Sequence, residues 1–80
     1  MPYPGYTTSV VGRRGREMYE QELRARVESQ HLGQFLVLDI SSGEYEIATD
    51  DLTASESLLA RKPDAILYGV RIGSSAAYRL

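Results

Sequence analysis

The stretch Gly33–Ala48, GQFLVLDISSGEYEIA, has the pattern of a β-hairpin and decides the fold class. Its first part, Gln34–Ile40, is apolar on both faces, which is typical of a strand at the centre of a sheet or covered on both sides. Gly43 suits the left-handed position of a short hairpin loop. The return strand, Glu44–Ala48, alternates apolar and acidic residues, so we expect one of its faces to be exposed.

Asp50–Lys62 follows this hairpin and is predicted to be a helix. The side chain of Thr49 or Asp50 can accept hydrogen bonds from the free N–H groups of the first turn. Pro63 cannot continue the helix and therefore ends it. The predicted buried stripe consists of Leu52, Ser55, Leu58 and Leu59.

Ala65–Leu80, AILYGVRIGSSAAYRL, predicts a second hairpin with strands over Ala65–Ile72 and Ala76–Leu80. The helix carries the chain back to the end of the sheet at which the first strand stops. The third strand should therefore run antiparallel to the first and pair with it. The predicted strand order is therefore 2-1-3-4. The fold class is α+β: an N-terminal helix and then ββαββ, with a four-stranded, mainly antiparallel sheet and the helix packed on one face.

An amphipathic pattern over Arg16–Gln30 predicts the helix that precedes the sheet. Its apolar stripe is narrow and consists of Tyr19, Leu23 and Val27. We assign residues 1–15 to a flexible basic lead and residues 16–80 to a single small α+β domain. This helix could cover the sheet where the second helix leaves it bare, or the opposite face.

The chain has 80 residues, which is enough for one domain only. Its net charge is −2. It contains no cysteine, so a disulfide or a thiolate metal site is excluded. The start MPYPGYTTSVVG lacks the features of a signal peptide, and no apolar run approaches the roughly 18 residues of a membrane span. We expect a cytoplasmic protein without a membrane partner.

Catalytic groups are few, so we expect no enzyme, no cofactor and no metal site. The chain has one histidine, His31, and neither a phosphate-binding glycine loop nor a nucleophile elbow. Asp39–Gly43 places an Asp before Ser and Gly, as in the loop of retroviral-type aspartic proteases, but the spacing differs and a hairpin turn explains it. One alternative is a small cation- or ligand-binding domain, built from Glu44, Glu46, Asp50 and Asp51.

A basic run, RRGR, is the strongest charged motif of the chain, and its arginines are Arg13, Arg14 and Arg16. Such a run can bind phosphates or an acidic partner. Nucleic-acid binding is therefore a second alternative. It is not favoured, because a net charge of −2 is atypical of a nucleic-acid-binding protein.

The segments GQFLVLDISSGEYEI, DDLTASESLLARKPDA and LYGVRIG resemble a family of very short uncharacterised bacterial proteins. These read G-x-(F/Y)-(L/V)-(V/A)-(L/I)-D, a turn, Y-E-I, a D-D-L-x-A helix, then P-D-A and a closing strand. Several look like the antitoxin-side member of toxin–antitoxin gene pairs. The resemblance covers about residues 18–80 and implies no catalytic residues.

We therefore predict a non-enzymatic protein-interaction module, antitoxin-like, that forms a homodimer and binds a partner protein. One short helix covers only part of a four-stranded sheet, and an apolar patch left exposed marks an interface. The residues expected at the partner interface are Tyr19, Leu23, Val27, Tyr78 and Leu80.

Overall fold

The computed structural model describes residues 7–73 and confirms the α+β class. In chain order the elements are α1 (Thr8–Met18), a π-helical turn (Tyr19–Leu23), α2 (Arg24–Val27), β1 (Phe35–Asp39), β2 (Tyr45–Ala48), α3 (Asp51–Arg61) and β3 (Leu67–Arg71). The first three form one continuous helix, called here the N-terminal helix. None of the helices in this range is long and apolar enough to cross a membrane.

The three strands form an antiparallel sheet in the order β2-β1-β3. Leu36 in β1 lies opposite Ile47 in β2 and Val70 in β3. Gly43 closes the β1–β2 loop with a φ of 83°, the left-handed conformation predicted for it. The predicted fourth strand, Ala76–Leu80, lies outside the described residues.

The N-terminal helix begins at Thr8, so the predicted start at Arg16 was wrong, and residues 8–15 of the predicted lead are helical. The Thr7 hydroxyl accepts a hydrogen bond from the Val10 N–H at 3.2 Å and caps the first turn. Glycine costs about 1 kcal/mol in a helix interior, which lowered the helical signal of this segment. Gly15, however, is buried against the sheet, and that packing holds the segment helical.

The N-terminal helix covers one face of the sheet. Tyr19, Leu23 and Val27 are 3%, 5% and 3% exposed and belong to the main core. The other buried residues of that core lie in β1 and β3 or next to their ends, and are Leu36, Leu38, Ile40, Ile66, Tyr68, Val70 and Ile72. The assignment of the three helix residues to a partner interface is therefore corrected: their side chains pack inside the chain.

The π-helical turn keeps the apolar residues of the N-terminal helix on one side. The residues that face the sheet are spaced by four, at Val11, Gly15, Tyr19, Leu23 and Val27. In a regular α-helix, positions four apart drift by about 40° per step. The Arg24 N–H donates to the Tyr19 carbonyl, five residues back, and this wider turn corrects the drift.

Helix α3 packs on the opposite face of the sheet, over β1 and β2. Its buried residues are Ala54 and Leu58, which contact Val37. The predicted stripe was wrong at two positions, because Leu52 is 64% exposed and Leu59 is 37% exposed. Ala54 carries only a methyl group, so α3 can lie close to the sheet at this position.

Candidate functional site

Among residues 7–73, Asp39 is the charged residue that is buried, with 1% of its surface exposed. Its Oδ1 accepts hydrogen bonds from the Ser41 N–H at 3.0 Å, the Ser41 hydroxyl at 2.7 Å and the Ile66 N–H at 3.0 Å. Its Oδ2 accepts from the Ser42 hydroxyl at 2.7 Å. The carboxylate thus joins the end of β1, the hairpin turn and the segment that leads into β3.

These bonds also determine the charge state of Asp39. Burial alone would raise the pKa of this carboxyl, but hydrogen bonds from the Ile66 N–H and from Ser41 and Ser42 outweigh it and lower the pKa. The carboxylate is therefore ionised, and both of its oxygens are occupied by structural donors. This agrees with the predicted hairpin turn and gives Asp39 the role of a structural acceptor.

A shallow cleft of about 280 Å³ opens beside Asp39. It is lined by Asp39, Ser41, Arg61, Lys62, Pro63, Asp64 and Ala65. Small-molecule sites commonly enclose about 300–1,000 Å³ and are mostly apolar. This cleft is smaller and bears charges of both signs, so we do not assign a ligand to it.

Two acidic residues, Glu44 just before β2 and Glu46 within it, are paired with the end of α3. Arg61 donates to Glu44, and its second guanidinium nitrogen lies 2.7 Å from Glu46 Oε2. Lys62 Nζ lies 3.3 Å from Glu44 Oε2. Arg61 also donates to the Tyr45 carbonyl at 3.3 Å. The carboxylates of Glu44 and Glu46 are therefore both paired with cations of the same chain.

Asp50 caps α3 instead of joining the two glutamates. Its Oδ1 accepts from the Thr53 N–H at 2.7 Å and its Oδ2 from the Thr53 hydroxyl at 2.9 Å. The bond from the Thr53 N–H is the main reason that the pKa of Asp50 is lowered. Over residues 7–73 no three His, Cys, Asp or Glu side chains are grouped to hold a metal ion. The cation-site alternative therefore has no geometric support in that range.

The arginines of the basic run are all exposed on α1. Within residues 7–73, Arg13 and Arg14 form neither an ion pair nor a side-chain hydrogen bond. Arg16 lies beside the Tyr68 hydroxyl, where it partly offsets the rise in the pKa of Tyr68 caused by burial. Two of the three predicted residues are therefore free to contact an anionic partner.

Further along the N-terminal helix, Arg24 is paired with two acidic residues of the same helix. Arg24 lies 2.8 Å from Glu20 and 3.0 Å from Glu28. The separation of acid and base by four residues is the spacing at which side chains meet on a helix surface. Within residues 7–73, the exposed arginines of the N-terminal helix that form no ion pair with another side chain therefore include the neighbours Arg13 and Arg14 and, separately, Arg26.

Leu52 and Leu59 lie together on the exposed side of α3. An α-helix turns by about 100° per residue. Leu59 is two residues before Arg61 and Leu52 is nine residues before it, so both leucines project about 180–200° around the helix from Arg61. Because Arg61 reaches β2, the two leucines point away from β2 and from the buried face. Ser55 and Glu56 lie on the same side of the helix between the two leucines. We call these four residues, Leu52, Ser55, Glu56 and Leu59, the α3 strip.

Comparisons of the chain with protein-family models, curated proteins and solved structures found no match. Its function is therefore inferred from the surfaces of residues 7–73. Of the predicted partner interface, Tyr78 and Leu80 lie outside the described residues. Within residues 7–73 the exposed large apolar side chains are Leu32, before β1, and Leu52 and Leu59 on α3. The sequence pattern had assigned Leu52 and Leu59 to the core. Their spacing of seven residues was the signal for a common face.

Proposed function

We propose that this chain is a non-enzymatic protein-interaction module that forms a homodimer and binds a partner protein. The supporting observation is the exposure of Leu52 and Leu59 on one side of α3. Exposed apolar side chains that share one side of a helix favour association. Full burial of a leucine side chain is worth about 1.5–3 kcal/mol, so two per protomer contribute to a modest interface.

The resemblance to short antitoxin-like bacterial proteins supports the second part of this proposal. An antitoxin binds its toxin protein, and an amphipathic helix that enters a groove is a common way to do so. The polar groups that could serve catalysis have structural partners instead: Asp39 holds the hairpin, and Glu44 and Glu46 hold Arg61. We further propose that Ala76–Leu80 forms a fourth strand beside β3, in the order 2-1-3-4.

Sedimentation velocity of the full chain at high micromolar concentration tests self-association. We expect a concentration-dependent dimer for the wild type and a monomer for Leu52→Glu. A carboxylate in the first turn is favourable for the helix dipole, so this change should not unfold α3. Ser57→Glu is the matched control, because Ser57 is exposed on the same helix outside the α3 strip. A monomeric wild type would overturn the homodimer.

Co-expression with the product of the neighbouring gene tests the antitoxin-like role. We expect the two proteins to co-purify at a fixed stoichiometry and this chain to relieve growth inhibition by its neighbour. Absence of a complex, together with unrelieved or absent growth inhibition, would contradict the antitoxin-like role. That result would leave the homodimer to be judged by sedimentation.

A second candidate function is binding of nucleic acid through α1. The supporting observation is that Arg13 and Arg14 are exposed and unpaired within residues 7–73. Each phosphate contact adds about 0.9 to the slope of log K against log salt for duplex DNA. Titration of a DNA duplex at several salt concentrations should therefore show a slope smaller by about two in Arg13→Ala/Arg14→Ala. Arg26→Ala removes an exposed charge elsewhere, and equal effects of the two changes would contradict this function.

A further inference from the structure

We draw no further inference here: the strongest candidate, the outer edge of β3 over Leu67–Arg71, is where the fourth strand has already been proposed, and nothing among residues 7–73 shows what covers it.

Discussion

The ring of Tyr68 lies against the backbone of Gly15. A Cβ atom placed on Gly15 would stand 2.1 Å from Cγ of Tyr68, much closer than any van der Waals contact. Gly15 belongs to α1 and Tyr68 to β3, and both are buried. The absence of a side chain at position 15 therefore determines how closely the N-terminal helix approaches the sheet.

Gly15→Ala should destabilise the protein. Alanine is a better helix former than glycine by about 1 kcal/mol, but the added methyl group must displace the Tyr68 ring. Overpacking of this kind costs about 1–3 kcal/mol. We expect a lower midpoint of urea unfolding, measured by circular dichroism.

Gly12→Ala is the matched control for this prediction. A Cβ at Gly12 would meet nothing within 4 Å, so only the helix propensity changes. We expect the free energy of unfolding to rise by about 0.5–1 kcal/mol. If both substitutions were stabilising, the close contact between Gly15 and Tyr68 would be contradicted.

Much of the fold could be predicted from the pattern of β1. Its alternate residues Leu36 and Leu38 face one helix and Val37 faces the other, as expected for a strand that is apolar on both faces. The start of the N-terminal helix could not be predicted in this way. The packing that offsets the low propensity of Gly15 comes from Tyr68, which is distant in sequence.

The sequence pattern also could not predict which side of α3 is exposed. Leu52, Leu58 and Leu59 are equally apolar, and the pattern alone cannot say which of them is buried. The choice is made by tertiary contacts: Leu58 packs with Val37, and Arg61 pairs with Glu44 and Glu46. The candidate interaction surface was therefore visible only once the helix was placed on the sheet.

Asp39→Asn should destabilise the hairpin. The amide has one acceptor oxygen where the carboxylate has two, so at least one donor among Ser41, Ser42 and Ile66 loses an ionic acceptor. We expect a loss of about 2–3 kcal/mol at neutral pH, measured by urea unfolding. Asp64→Asn, at an exposed carboxylate on the rim of the same cleft, should change stability little.

The effect of Asp39→Asn should also depend on pH. Because the pKa of Asp39 is lowered on folding, its contribution to stability is complete above the unfolded-state pKa of about 3.9 and disappears as the pH falls through the folded-state pKa. The gap in unfolding free energy between wild type and Asp39→Asn should therefore be constant from pH 7 to about pH 5 and shrink below about pH 4. A gap that widened on acidification would contradict the lowered pKa.

Arg61→Ala should have a small effect that depends on salt. Arg61 pairs with Glu44 and Glu46, but all three side chains are substantially exposed. Exposed ion pairs contribute about 0.2–1 kcal/mol and are screened by salt. We expect a destabilisation in this range at low ionic strength that decreases as salt is added. Arg26→Ala, which removes an exposed arginine of the N-terminal helix, should show no such loss.

Two leucine truncations should separate the core from the candidate interaction surface. Leu23→Ala should lower the free energy of unfolding by about 2–5 kcal/mol, because Leu23 is 5% exposed and packs between the N-terminal helix and the sheet. Leu52→Ala should change the free energy of unfolding by only about 0.5 kcal/mol or less under conditions where the chain is monomeric. The same substitution should nevertheless weaken self-association in sedimentation. A large loss of monomer stability in Leu52→Ala would contradict the exposure of this residue and remove the basis for the α3 strip.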